Sequence, residues 1–304
     1  MLLTHLWKQS DFGLVINWKF HQKRKWVSAL TGYMVDAIIT AFDPIIITSQ
    51  FDYQLHKRKL RYILSFYPGW SAPLIRFDPK IDCVKALCYS DPHYQPEERR
   101  AYFDRNGFDF LFCVYHSPFF YHFKNFPIEK FVHFPWALPD RFISDHAIEH
   151  RSNDVVIFGG KQSKAYDIRN WCRQQPGIRN FDYSGVENKQ LTDEEYFLWL
   201  RTFDAIVAAG SSDPKYNLVT PKYFEIASAG ALLIGQYCPD LDMLGFDNTN
   251  ALIFTKDSFN DIISTYKKEP EKYISLREKG RLLIKERHKI SDRIASIKRA
   301  LYGN

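Results

Sequence analysis

The sequence lacks most of the short signatures that would declare a chemistry. Its five cysteines (Cys83, Cys88, Cys113, Cys172 and Cys238) include no CxxC pair, and their odd number argues against a disulfide framework, so a reducing compartment, the cytoplasm, is expected. No GxxxxGK[ST] occurs, which argues against a Walker-type ATPase, and the Gly159–Gly160 pair of VVIFGG does not extend to GxGxxG. Long apolar runs are missing as well. The stretch MVDAIITAFDPIIIT is broken by Asp36, Asp43 and Pro44 and supplies no membrane span, and MLLTHLWKQSDF lacks the basic start and apolar core of a secretory signal. Attachment to a membrane is therefore expected to be peripheral at most. No internal repeat or low-complexity tract is evident.

What is present is the composition of a folded protein: 304 residues, 45% hydrophobic and 25% charged. That length fits two domains of about 150 residues each. The net charge is +6, and the basic residues gather in HQKRKW (His21 to Trp26) and HKRKLR (His56 to Arg61), which suit an anionic partner or surface, or are simply solvated helix faces. Short apolar runs alternate with amphipathic helical patterns, the arrangement of parallel α/β layers. Strands are expected at IIIT, VKALCY, FDFLFCVY, FVHFP, VVIFGG, AIVAAG and ALLIGQ. Helices are expected near Val27 to Ala41, Pro96 to Asn106, Ala165 to Gln174 and, behind the capping pattern TDEE, from Asp193 to Thr202. The first 80 residues offer no strong opening strand with a glycine-rich turn. The polar stretch Ser144 to Asn153 marks the boundary, giving domains 1–148 and 149–290 and a closing helix over 291–304 whose Ile294, Ile297 and Leu301 recur at helical spacing.

One helix poses a chemical question. In TPKYFEIASAG, Thr220 is placed to cap, Pro221 to begin and Gly230 to follow a short helix. Lys222 then lies in the first turn, where the helix macrodipole disfavours a cation by a few tenths to about 1 kcal/mol. The placement makes sense if an anion is bound there, since helix N-termini are ready phosphate sites. In a parallel sheet the strand ends converge on one edge. Gly159 and Gly160, then Tyr183, Ser184 and Gly185, and Ala209, Gly210 and Ser211 should meet there, with Lys161, Lys164, Arg169, Lys215 and Lys222 as nearby cations. The bland reading of Lys222 and Glu225 is a surface i,i+3 pair worth about 0.2–0.5 kcal/mol.

The segments VVIFGG…YDIR, PKYFEIASAGALLIGQ, GFDNTNALIF and EKGRLLIKERHKISDRIASI together resemble the C-terminal domain of GT-B glycosyltransferases, nearest the branch of spore-maturation glycosyltransferase-like proteins. CYSDPHYQPEERR, GFDFLFCVYHSPF and FVHFPWALPD extend the resemblance towards the N-terminus. It implies an α/β fold of two Rossmann-like domains with parallel sheets facing a central cleft, and a last helix crossing back to the first domain. It also implies a nucleotide-sugar donor on the second domain, with Glu225 on the ribose and Lys222 facing the diphosphate. Thr220, Pro221, Tyr223 and Lys215 would complete the donor site. No cofactor and no bound metal are expected; His116, His122 and His133 read as core or cleft residues as readily as ligands, and PFFYHF as packing or as a stacking surface for a sugar.

The expected activity is transfer of a hexosyl or pentosyl group to a hydroxyl of a glycan acceptor, an anionic one fitting the charge. Retaining relatives often carry another glutamate where this chain has Asn217, so inversion is expected, with Asp91 as first candidate for general base and His93 as second. Asp-Pro also begins turns readily, so SDPH has a structural reading. Two other functions stay open: a nucleic-acid-modifying glycosyltransferase, suggested by the aromatics among the basic clusters, and a non-catalytic nucleotide- or sugar-binding protein on the same fold.

Overall fold

Two all-parallel sheets, one of six strands and one of five, organise the described residues. The computed structural model describes residues 9–69, 72–146, 154–161, 163–181 and 191–303. The chain divides into two compact units: the first runs to Pro135 and takes in Ile290 onward, and the second is Trp136–Lys289. The change of unit thus comes earlier than the polar stretch used to place it at 148/149.

The first sheet comprises β1 (Phe12–Val15), β2 (Ile45–Ile47), β3 (Tyr62–Phe66), β4 (Val84–Tyr89), β5 (Phe110–Cys113) and β6 (Phe131–His133), in the order β2-β1-β3-β4-β5-β6. The opening strand that the sequence hides lies inside the sheet, next to its edge strand β2. All four residues of β1 are buried, and it pairs with β2 on one side and β3 on the other. Gly13 serves packing: a Cβ there would lie 2.9 Å from Ile47 Cδ1. No glycine-rich turn follows, because Asn17 ends the strand by accepting the Phe20 N–H at 3.1 Å and so capping the helix Trp18–Gln22. The closing helix, Ile290–Tyr302, packs on Ala29–Phe42 within this unit; Ile297 and Leu301 are buried, and Tyr302 meets Tyr62 and Phe42 edge-on or tilted.

The two basic clusters fare differently. His21 is buried, accepting the Trp26 indole N–H on Nδ1 at 3.1 Å and placing Nε2 3.1 Å from Asp36, whose other oxygen takes Arg24 at 2.7 Å. Burial raises the Asp36 pKa, but the bonds from His21 and Arg24 outweigh it and hold the carboxyl below its ordinary value. This cluster follows β1, and Trp26 contacts Phe66 and Tyr67 at the end of β3, so it lies at the carboxyl edge of the sheet. Arg58, Lys59 and Arg61 precede β3 and are exposed at the opposite edge. The two clusters therefore do not form one continuous basic track.

The second sheet comprises β7 (Val155–Ile157), β8 (Ile178–Asn180), β9 (Ala205–Ala208), β10 (Leu232–Gln236) and β11 (Leu252–Phe254), in the order β11-β10-β9-β7-β8. Strands β7, β9 and β10 are buried along their whole length, as parallel strands covered on both faces must be, which is why they read as unbroken apolar runs. Val155, Ile157, Val207, Leu232 and Ile234 pack with Ile168, Phe259, Ile263 and Tyr266 from the covering helices. Strand order reverses between β7 and β9, so the loops leaving those two strands border the crevice at the switch point where such sheets bind ligands.

Candidate functional site

Three segments meet at that switch point: Phe158–Lys161 after β7, Ala209–Ser212 after β9, and the helix Pro221–Ser228 that follows. The helix has the bounds its sequence indicates. Thr220 is extended at the N-cap, Pro221 occupies the first turn, and Gly230 follows with φ +78°. The Thr220 hydroxyl makes no cap bond and its buried Oγ1 has no hydrogen-bond partner; the Tyr223 N–H instead reaches the Thr220 carbonyl at 3.1 Å. An unsatisfied buried hydroxyl at a helix N-terminus is the kind of group a bound ligand completes.

Glu225 is buried, so the relation of Lys222 to it is not that of a surface pair. The Lys222 Nζ sits 3.7 Å from the centroid of the Phe158 ring, and its stem crosses Gly159. The ring face offsets part of the unfavourable helix dipole, a contact worth about 0.5–2 kcal/mol. Gly159 has φ +105°, and a Cβ there would lie 2.8 Å from Lys222 Cε and 3.4 Å from Arg169 Nη1. Gly159→Ala should therefore destabilise the protein by about 1–3 kcal/mol through backbone strain and displace Lys222. An unchanged thermal midpoint together with unchanged nucleotide affinity would reject this account.

Glu225 is buried, and one carboxylate oxygen accepts the Tyr196 hydroxyl at 2.8 Å. Burial raises its pKa above the ordinary glutamate value, while the Lys222 charge and the Tyr196 bond pull it back and Asp193 adds to the rise. Tyr196 comes from the helix Asp193–Leu200, which starts with the full capping box of Thr192 and Glu195. The hydroxyl fixes one side of the carboxylate and leaves the other oxygen for a further donor.

Two residues placed in the site by sequence take other roles. Arg169 is buried and turned inward: Nε donates to the Ala209 carbonyl at 2.9 Å, Nη1 to the Gly160 carbonyl at 3.2 Å, and the guanidinium lies 4.0 Å over the Tyr166 ring. It ties the β7 and β9 loops together instead of presenting charge to a ligand. Tyr223 is likewise core, with its hydroxyl donating to the Gln236 carbonyl at 3.0 Å. Gly160 packs on the Tyr166 ring, and Lys161 accepts an Asn170 amide bond on its carbonyl. Lys215 sits in a 3-10 turn, 3.4 Å from Asp213. Tyr183, Ser184 and Gly185 lie outside the described residues.

Sequence reasoning missed the residues that hold these loops. Gln236, at the end of β10, accepts the Gly210 N–H at 2.8 Å and donates to the Ser211 carbonyl at 2.8 Å. Arg173 donates to the carbonyls of Gly159 and Phe181. Asp167 accepts the Ser212 N–H at 3.0 Å and the Ser212 hydroxyl. A polar residue closing the apolar run ALLIGQ was the one available signal, since a buried amide must find partners for both ends.

In the first unit, Asp91 and His93 follow β4 at the carboxyl edge of its sheet. They form a turn, with the Tyr94 N–H donating to the Asp91 carbonyl at 2.9 Å, and both are half-buried. Burial raises the Asp91 pKa and lowers that of His93, each opposed by the other's charge. The turn is held from below by the buried Arg99, which donates to the Pro68 carbonyl and to Gln95 and lies 5.9 Å from both the Tyr89 and Tyr94 rings. His116 and His133 stack among Phe120 and Phe131. Among the described residues no group of three or more His, Cys, Asp or Glu could hold a metal ion, and no helix is long and apolar enough to cross a membrane.

Paired parallel sheets of this kind define the GT-B architecture, and the comparisons agree. The family model described as glycosyl transferase-like matches residues 140–299, just over half of the chain, and the protein belongs to that family. No curated protein matches the sequence. Among solved structures, Anabaena HepE in complex with UDP-glucose is similar over 96% of this chain and 99% of its own, with TM-score 0.62 and 8% identity. Sucrose-phosphate synthase from Thermosynechococcus elongatus is similar over 92% and 80%, with TM-score 0.57 and 11% identity. TarM of S. aureus is similar over 90% of this chain at TM-score 0.56 and 10% identity, and this chain spans only 58% of TarM.

Proposed function

We propose that the protein transfers a sugar from a nucleotide-diphosphate donor to a hydroxyl of a glycan acceptor with inversion at the anomeric carbon. The observation that carries the donor half is the Thr220–Glu225 helix start at the switch point, where a cation, an unsatisfied hydroxyl and a buried carboxylate come together. The free Glu225 oxygen accepts from the ribose hydroxyls. Lys222 and the helix N-terminus meet the diphosphate, by resemblance to the family without a bound divalent ion. In the reaction the acceptor oxygen bonds to the anomeric carbon and its proton passes to Asp91 or, as second candidate, His93. The bond from that carbon to the phosphate oxygen breaks, and the nucleoside diphosphate leaves with the electron pair, neutralised by Lys222. A nucleic-acid acceptor would call for a continuous basic track, which the opposite placement of the two clusters does not provide.

A panel of nucleotide sugars in a thermal-shift assay tests the donor half. A donor at about 100 times its dissociation constant stabilises the native state by about 2.7 kcal/mol. Glu225→Gln then separates binding from folding. Because the carboxyl titrates higher in the folded than in the unfolded state, the native protein holds the proton more tightly, so wild-type stability from this group falls as pH rises through that window. The neutral amide removes the cost of burying the charge. The variant should melt above wild type at alkaline pH, with the gain shrinking as pH falls, yet bind nucleoside diphosphate more weakly. Unchanged nucleotide affinity would sink the ribose assignment.

A further inference from the structure

The helix Gln50–His56 buries Tyr53 but turns its other two large hydrophobic residues away from the core. Tyr53 and His56 are buried, and at about 100° per residue Phe51 and Leu55 point away from them. Phe51 is 70% exposed and Leu55 51%. The flanking segment is fastened alongside: Gln50 donates to the Arg76 carbonyl at 3.0 Å and accepts the Arg76 N–H at 2.8 Å, and this segment presents Leu74, 58% exposed. In the turn directly after the helix Arg58 and Lys59 are exposed, as are Arg61 just before β3 and Arg76 and Lys80 on the fastened segment.

Charge in this region is unbalanced. Asp52 is engaged by the Thr48 N–H at 2.9 Å and the Thr48 hydroxyl at 2.6 Å, and Asp78 by Lys57 at 2.8 Å and the Lys80 N–H at 3.0 Å. Asp11, Asp43 and Asp82 are the remaining exposed acids beside the starts of β1, β2 and β4, three against the five cations Arg58, Lys59, Arg61, Arg76 and Lys80. Among the described residues, Arg58, Lys59, Arg61, Arg76 and Lys80 form no ion pair. The frame is rigid, since buried Tyr53 accepts the Asp78 N–H at 2.9 Å and meets Phe77 edge-on.

We infer that Phe51, Leu55 and Leu74, with Arg58, Lys59 and Arg61, form a docking surface for an anionic lipid bilayer. Outward apolar side chains on a fixed helix can enter the headgroup region, and basic residues beside them gain from the negative surface potential. A soluble acidic partner would be met by the cations alone and gives no account of the three apolar side chains.

The test is flotation of the full chain with vesicles of phosphatidylcholine, with and without phosphatidylglycerol. Binding to the anionic vesicles alone, weakened by salt, is expected. Phe51→Ser combined with Leu55→Ser, and Arg58→Glu combined with Lys59→Glu, should each weaken it at least about tenfold while thermal midpoints hold, because all four side chains are exposed. Leu198→Ser, which removes an exposed leucine 59% accessible in the other unit, should leave binding intact. Absence of wild-type binding at low salt, or unchanged binding in the double serine variant, overturns the proposal. So does a dimer in sedimentation that the serine pair abolishes without any vesicle binding.

Discussion

Replacing Asp91 with Asn should cut glycosyl transfer by about 10²–10⁴-fold while nucleotide binding survives. The substitution keeps the shape of the Asp91–Tyr94 turn, whose bond uses the Asp91 main-chain carbonyl, and removes only the basic carboxylate. Burial leads the forces on that group and raises its pKa, against the His93 charge and the 3.3 Å bond from the Ser90 hydroxyl. A general base acts in its ionised form, so wild-type transfer should rise with pH through this elevated pKa, and the acid limb should vanish in the Asn variant. Near-normal transfer by Asp91→Asn alongside loss in His93→Ala would assign the base to His93. Retention of the donor's anomeric configuration would remove both assignments and leave the turn as a shaping element of the acceptor pocket.

Lys222→Ala should lower turnover by about 10²-fold or more, with a much smaller change in nucleotide affinity. The ammonium already rests on the Phe158 ring at the end of β7, so it is held in place before any ligand arrives. Its charge is needed most when the leaving diphosphate gains charge, which places the loss in the chemical step. Steady-state turnover read beside a nucleoside-diphosphate titration separates the two. Equal losses in both would make Lys222 a ground-state binding group.

The parts of this fold that were legible in the sequence are those set by neighbours along the chain. Pro96 begins and Gly107, at φ +58°, follows the helix Pro96–Asn106; TDEE builds a capping box; VKALCY gives β4 at its full length. The opening strand was not legible, because FGLV is four residues with a glycine in it and owes its burial to β2 and β3 on either side. The site divides the same way. Thr220 to Glu225 announced themselves through helix chemistry, whereas the inward turn of Arg169 depends on carbonyls of Gly160 and Ala209 that only the folded sheet brings together. Gln236 was silent for the same reason, its amide being matched to a loop 25 residues or more away.

The closing helix carries a consequence for synthesis. Its Ile297 and Leu301 belong to the core of the first unit, so that core lacks a layer until Ile290–Tyr302 emerges from the ribosome. The second unit, by contrast, is one uninterrupted stretch from Trp136 to Lys289 and has all its strands beforehand. At about 5–20 residues per second, the nascent first unit waits roughly ten to thirty seconds with the surface of Ala29–Phe42 uncovered. Of the two units, the one begun first is therefore the second to be completed.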